Sequence, residues 1–242
     1  FWPVALERAA SDLAMVQGSR VEIVHQALRR AIVEQALEPG AKLPEDAIGE
    51  RFGVSRTIVR RALERLAAEE LVAMQPNRGA SVVAPTLEEA RDLFEIRMEL
   101  EDVVVRRLCG RLTAAQIERL KSAVAGEQEA HLQRRRDYIR LSGEFHVILA
   151  DMTESPMLRR YLRQLVWRSA LVLRLHGRPD WEDCNVHEHH ALIAALIAGD
   201  VEQCRRLMAA HLRAVLTRGL KGGGARSEPS LWDILAVYAA PT

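Results

Sequence analysis

Three of the chain's eight histidines fall within four positions in NVHEHHALIAAL, residues 185–196. Neutral imidazoles bind divalent metals, and two histidines four residues apart on a helix can hold zinc beside a glutamate base. That spacing is missing, because Ala191 stands four residues after His187. The run is therefore not a self-contained metal motif, and its histidines must be sorted by helical face. Leu192, Ile193, Leu196 and Ile197 form an apolar stripe, and His189 precedes them at helical spacing, so it points inward. His190 projects about 100° round the helix from His189 and His187 about 200° away, which places both at the rim or the surface.

Two further histidines share the inward character. His146, in EFHVILADM, lies one turn before Leu149 and Ala150; His211, in LMAAHLRAVL, is flanked by Leu207, Met208 and Val215. Three helices each offering one inward imidazole is the arrangement a metal in a bundle core needs. Hydrogen-bonded core histidines are the alternative. A metalloenzyme would also want a carboxylate base beside the ion. Glu144 and Glu188 are near in sequence, but lie about 200° and 100° round their helices from the candidate ligands.

The segments that must position these residues read as helix after helix. TLEEARDLFEIRMELEDVVVRRLCGRL, residues 86–112, opens with a Thr86–Glu89 capping box, and its expected interior stripe runs through Leu93, Ile96, Leu100 and Val103 or Val104. Thr113 caps a second helix to about 132, a third covers about 135–152, and Ser155-Pro156 opens a fourth to about Leu175. After the loop HGRPDWEDCN, the histidine helix ends at Gly199-Asp200 and a sixth runs over about 201–219. Short connections and no shared period indicate an all-helical bundle of about six helices over 85–220, not a repeat array.

The first part of the chain has a different grammar. VEIVHQALRRAIVEQAL, residues 21–37, puts Val21, Val24, Leu28, Ile32 and Leu37 on one stripe before EPGAKLP stops it. A short helix follows over Glu45 to Phe52, with Ala47, Ile48 and Phe52 expected inside. Gly53 then turns the chain, and Ser55 offers an N-cap hydroxyl to SRTIVRRALERLAAEEL. There Val59, Ala62, Leu63 and Leu66 share one face, while Arg56, Thr57, Arg60, Arg61 and Glu64 project from the other. Two short helices around a glycine turn fit a helix-turn-helix. LVAMQPNRGASVVAP adds a hairpin wing whose tip residue, Arg78, could enter a minor groove. From 51 to 65 there are five arginines against one acid, Glu64, whereas residues 1–84 balance at eleven basic and eleven acidic side chains. Basic charge is concentrated where phosphate neutralisation and major-groove readout need it. The chain is thus expected to be mainly α, with a winged helix-turn-helix of three helices and a β-hairpin over 1–84 (core 20–84).

A family resemblance now becomes specific. LEPGAKLPE, ERFGVSRTIVRRALERLAAEELV and PNRGASVV, nearly continuous over about 21–84, resemble the DNA-binding domain of the GntR superfamily of bacterial transcription regulators. The resemblance implies DNA contacts from Ser55, Arg56, Thr57 and Arg60, beside the projecting Arg61, with Arg78 and Gly79 serving the wing. Where some members carry an arginine ten positions before the residue matching Arg56, this chain has Asp46, so that contact is not carried over. LFEIRMELE, GEFHVILADMTESPML, EHHALIAALIAGD and MAAHL, within about 87–219, resemble the FCD ligand-binding domain of FadR-type members. That resemblance implies a divalent metal held by an aspartate and three histidines. The histidines match His146, His189 and His211, but Ser142 stands where the aspartate would be. A neutral hydroxyl is a poor direct ligand, so Ser142 would act through a water, and three imidazoles suit Zn²⁺ or Ni²⁺ better than Mn²⁺. The family senses small carboxylates. Arg97, Ser142 and Arg174 are the candidate effector contacts, Arg97 having the alternative of a surface ion pair with Glu101 at i+4.

The bulk properties agree. At 242 residues the chain can hold two cores, and a net charge of +1 excludes a uniformly polybasic protein. Cys109, Cys184 and Cys204 lack metal-type spacing and read as reduced thiols in a cytoplasmic protein. No run reaches membrane-spanning length, and FWPVALERAA lacks the features of a secretion signal. Residues 221–242, opening with KGGGARSEP, are expected to form a flexible tail, in which SLWDILAVYA is apolar enough to dock at a place the sequence does not name. The functional expectation is a non-enzymatic, homodimeric repressor binding a near-palindromic double-stranded operator and answering to a small organic acid. A metal-dependent enzyme and a regulator that senses the metal itself are the competing expectations.

Overall fold

The structure is a computed structural model that describes residues 20–176, 186–220 and 230–239. These residues form ten helices and one two-stranded sheet, in two compact units. Among the described residues, the first unit comprises 20–32, 40–83 and 230–239, and the second 33–39, 84–176 and 186–220.

In the first unit, α1 (20–33), α2 (Glu45–Phe52) and α3 (Arg56–Ala68) precede a hairpin of β1 (Val72–Gln75) and β2 (Gly79–Val82). Val24, Leu28, Ile32, Ile48, Val59, Leu63 and Leu66 are all fully buried, as the 3.6-residue spacing of each apolar face dictates. Each such side chain contributes roughly 1.5–3 kcal/mol by leaving water. On α2 the inner face is Ile48 and Gly49, with Ala47 and Phe52 only half-buried. Gly53 adopts φ +61° and caps α2 in the left-handed region, where a side chain would be strained. The strands pair antiparallel, Val72 opposite Val82 and Gln75 opposite Gly79, and a Lys42–Ser81 bridge extends this small sheet.

The same unit includes the last helix, α10 (Leu231–Tyr238), which packs on α2. Within a tail expected to be flexible, SLWDILAVYA is apolar enough to dock, and here Ser230 accepts a hydrogen bond from the Asp233 amide and Ile234, Leu235 and Tyr238 are buried. Capping and an apolar face suffice to fix a helix of eight residues once it has a surface to cover. Arg51 lies over the Trp232 ring at 5.6 Å and Arg30 over Tyr238 at 5.8 Å.

The second unit is the six-helix bundle: α4 (Leu87–Leu108), α5 (Ala114–Leu132), α6 (Tyr138–Met152), α7 (Pro156–His176), α8 (Val186–Ala198) and α9 (Val201–Gly219). Both capping boxes form, Thr86 with Glu89 and Thr113 with Gln116. Helix α4 packs on α7 and α9, α6 on α5 and α7, and α8 on α5 and α9. The expected α4 stripe is rotated: Ile96 is 53% exposed, and the buried face runs through Ala90, Leu93, Phe94, Arg97, Glu101, Val104 and Leu108. Two charged residues therefore sit among core positions. Ile197, expected inside α8, is exposed as well. Cys109 and Cys204 are free and buried, their sulfurs 3.5 Å apart, and burial pushes the Cys204 thiol up to about 12. Cys184 lies outside the described residues. Among those residues, no helix is long and apolar enough to cross a membrane.

Candidate functional site

Two regions carry the chemistry. In the first unit, α3 turns Arg56, Thr57, Arg60 and Arg61 toward solvent while its opposite face fills the core. Ser55 takes the N-cap position with an extended backbone, but its side chain makes no capping hydrogen bond. Its carbonyl instead accepts from the Ile58 and Val59 amides at 3.0 and 3.2 Å, which leaves the hydroxyl uncommitted to the helix. Arg60 reaches Glu64 at 3.3 Å, and Arg56 makes a two-point pair with Asp46 of α2. At the wing, Arg78 is exposed in the turn, its amide donating to the Gln75 carbonyl at 3.1 Å, and Gly79 opens β2 at φ +77°. Arg65, further along α3, donates to Glu22 of α1 at 2.8 Å.

The second region lies in the bundle. Helix α6 supplies His146, α8 supplies His189 and α9 supplies His211, all buried, with one ring nitrogen from each within 4.8 Å of the others. Behind each ring stands a carboxylate. Glu101 of α4 accepts from His146 Nδ1, Glu127 of α5 from His189 Nδ1 at 2.7 Å, and Glu188 of α8 from His211 Nδ1 at 2.6 Å. In the tautomer that donates Nδ1–H outward to its glutamate, an uncharged ring turns the lone pair of Nε2 toward the centre. His146 Nε2 and His211 Nε2 are only 3.1 Å apart, and His189 Nε2 is buried without a hydrogen-bond partner among the described residues. Converging lone pairs repel one another unless a cation lies between them. Nitrogens about 2.1 Å from one tetrahedral ion are roughly 3.4 Å apart; the His146–His211 spacing is close to that, and with a small inward shift of His189 the three side chains could hold a divalent metal. Carboxylates on the outer nitrogens are the partners that orient metal-binding imidazoles.

Electrostatics point the same way. Burial is the largest influence on His146 and lowers it to about 4, against the attraction of Glu101. Burial likewise lowers His211 to about 3, and both rings are neutral at neutral pH. For Glu101, burial raises the carboxyl, but His146 and Arg97 outweigh it and bring the group down to about 2. Glu188 is lowered too, with burial opposed by the His211 hydrogen bond. Phe145 stacks on His189 at 4.1 Å and fixes its ring plane.

Ser142 lies one turn before His146 on the same face of α6, 9% exposed. It shares a small cleft with Arg97, Arg140, Trp167, His146 and His211. Arg97 does pair with Glu101, at 2.5 Å, but in the interior and not on a helix surface, and it also donates to Ser169 at 3.2 Å. Arg174 is paired with Glu38 and does not line this cleft, so it is not brought to the histidines. The cleft holds about 40 Å³, little more than the share of one water molecule. His187 and His190 are exposed. Sequence reasoning missed the three outer carboxylates. Glu127 was visible as an acid on the buried face of α5, between Val124 and Ala130. Glu188 projects away from His189 but reaches across to α9.

A winged helix with a basic, outward-facing helix, followed by an all-α bundle with a polar centre, is the architecture of a two-domain DNA-binding transcription regulator. Residues 20–82 match the bacterial regulatory proteins of the gntR family, and residues 92–214 match the FCD domain. The Uxu operon regulator of Haemophilus influenzae is 30% identical over 211 residues, 79% of each chain. The HTH-type transcriptional repressor RspR of Escherichia coli is 27% identical over 197 residues, 79% of this chain and 85% of its own. Among solved structures, a transcriptional regulator GntR from Rhodococcus sp. RHA1 superposes with a TM-score of 0.74 at 26% identity, over 83% of this chain and 97% of that one. The chain belongs to the GntR family of bacterial transcription regulators, in the branch that carries an FCD domain. These relatives are named as regulators, not as enzymes.

Proposed function

We propose that this regulator is a homodimeric repressor whose grip on a near-palindromic operator is released by a small organic acid bound beside a divalent metal, Zn²⁺ or Ni²⁺, in the bundle. The winged helix-turn-helix domain, residues 1–84, reads the operator in the cytoplasm, and the domain of residues 85–220 senses the acid. The single observation that carries the sensing half is the convergence of His146, His189 and His211, each braced from behind by a glutamate. When bound, the ion offers open positions to a carboxylate. His146, His189 and His211 hold it, Glu101, Glu127 and Glu188 fix the rings that do so, and Ser142 is placed to hold a water at its edge. Arg97 supplies the fixed positive charge nearest the carboxylate, already desolvated and aimed by Glu101 and Ser169.

On the DNA side, Ser55, Arg56, Thr57, Arg60 and Arg61 face the major groove, and Arg78 with Gly79 brings the wing to the minor groove. An acid changes operator affinity only if it binds one arrangement of the protein more tightly than the other. Metal analysis of the purified full-length chain, with a thermal-shift screen of small mono- and dicarboxylates, tests this reading. Near-stoichiometric Zn or Ni and at least one acid that stabilises only the metal-loaded protein are expected. His189→Ala should abolish that shift and leave acid-free DNA binding intact. A metal-free protein that no acid stabilises would sink the sensing half.

A further inference from the structure

The pair between Asp46 and Arg56 carries an inference about which DNA the protein selects. Arg56 is the first residue of α3, where the positive end of the helix dipole disfavours a cation, and the first turn of α3 contains no acid. Asp46, in the first turn of α2, supplies the missing counter-charge from another element. Its two oxygens take Nε and Nη2 of the guanidinium, the latter at 2.6 Å, although both side chains are 69% exposed. A two-point contact fixes the guanidinium plane as a single hydrogen bond cannot. It uses one edge of the group and leaves the opposite Nη1–Nη2 edge free, with two N–H donors side by side.

We propose that Asp46 is a positioning residue that commits Arg56 to guanine. The free edge has the spacing of guanine O6 and N7, the two-acceptor pattern arginine reads in the major groove. The carboxylate itself repels phosphate, so the arginine it holds is turned from the backbone toward a base edge. Asp46 thus lowers sequence-independent affinity and raises discrimination, the repulsive element that selectivity needs. This rests on the reading that α3 enters the groove, and the test separates the two.

The full-length wild-type chain first selects duplexes from a randomised double-stranded DNA pool, and binding to a selected duplex is then followed against salt. Arg56→Ala should lose preference for guanine at one position of each half-site. Asp46→Ala should still bind, but with about tenfold less discrimination at that same position, tighter binding to unselected DNA, and a salt dependence steeper by about one counterion as the freed arginine moves to a phosphate. The Asp46→Ala/Arg56→Ala double variant should match Arg56→Ala alone at that position. Circular-dichroism melts should move by no more than a few degrees, since both side chains are exposed. If Asp46→Ala keeps wild-type discrimination and salt slope while Arg56→Ala loses guanine preference, Asp46 has no such role. If Arg56→Ala changes neither preference nor affinity, the placement of α3 falls, and the proposal with it.

Discussion

His146 and His211 meet through their Nε2 atoms at 3.1 Å, while the Nδ1 of each is held by a glutamate from a different helix. That distance suits either a proton shared between the two nitrogens or a cation beside both. Glu127 is the most buried of the three bracing carboxylates. Glu127→Gln, which keeps the shape and removes the charge, should weaken the metal by 10–100-fold, as changes behind a ligand histidine do. Competition with a chromophoric chelator measures this. An unchanged affinity would mean that the glutamate is only filling space.

Ser142→Asp would place an anionic oxygen one turn before His146. Metal affinity should rise at least about tenfold, with Mn²⁺ gaining more than Zn²⁺, since a carboxylate favours the harder ion. Isothermal titration with both ions gives the ratio. Equal gains for the two ions would show that the new carboxylate acts at a distance and not as a ligand.

Acid should destabilise the metal-free protein early. His146 and His211 titrate near 6.5 when unfolded but at about 4 and about 3 when folded, so the unfolded chain binds more protons between these limits. Their contribution is complete above pH 6.5 and is lost as pH falls toward 4 and below. Glu101, lowered to about 2, adds a loss of the same sign below pH 4.5. Urea midpoints of EDTA-treated protein should fall between pH 7 and pH 4, and His146→Ala should flatten that profile.

Arg60→Ala should cost roughly 1–3 kcal/mol of operator binding if the side chain reads a base, and relax selection at one position. Fluorescence anisotropy on selected and scrambled duplexes distinguishes this from a phosphate contact, whose loss would weaken both duplexes equally. The Arg60–Glu64 pair is more than half exposed on both sides and should hinder the contact little.

Much of this was legible in the sequence, for identifiable reasons. The three inward histidines could be read because each lies on an apolar stripe with helical spacing, which burial then enforces. The bracing glutamates could not, because Glu101 and Glu188 act on other helices and no periodicity records which helices meet. The α4 stripe was misjudged for a related reason. Ile96 reads as core by its spacing and Arg97 as either a pocket arginine or half of a surface pair, whereas the Arg97–Glu101 pair satisfies its own charge and occupies the inner face beside His146. Asp46 was noticed only as a missing arginine; its partnership with Arg56 depends on how α2 and α3 cross.

Leu235 is fully buried in α10. Leu235→Ala should destabilise the first unit by about 2–5 kcal/mol and leave metal binding in the bundle unchanged. Separate unfolding transitions, followed by DNA binding and by metal release, would resolve the two effects.

The packing of α10 on α2 also bears on how this protein is made. The unit that carries α3 contains residues from both ends of the described chain, so a ribosome must finish the last helix before that unit is whole. A fragment cut at residue 84 would lack the surface that Ile234, Leu235 and Tyr238 provide, so truncation before α10 would damage a unit whose other helices precede the bundle in the chain.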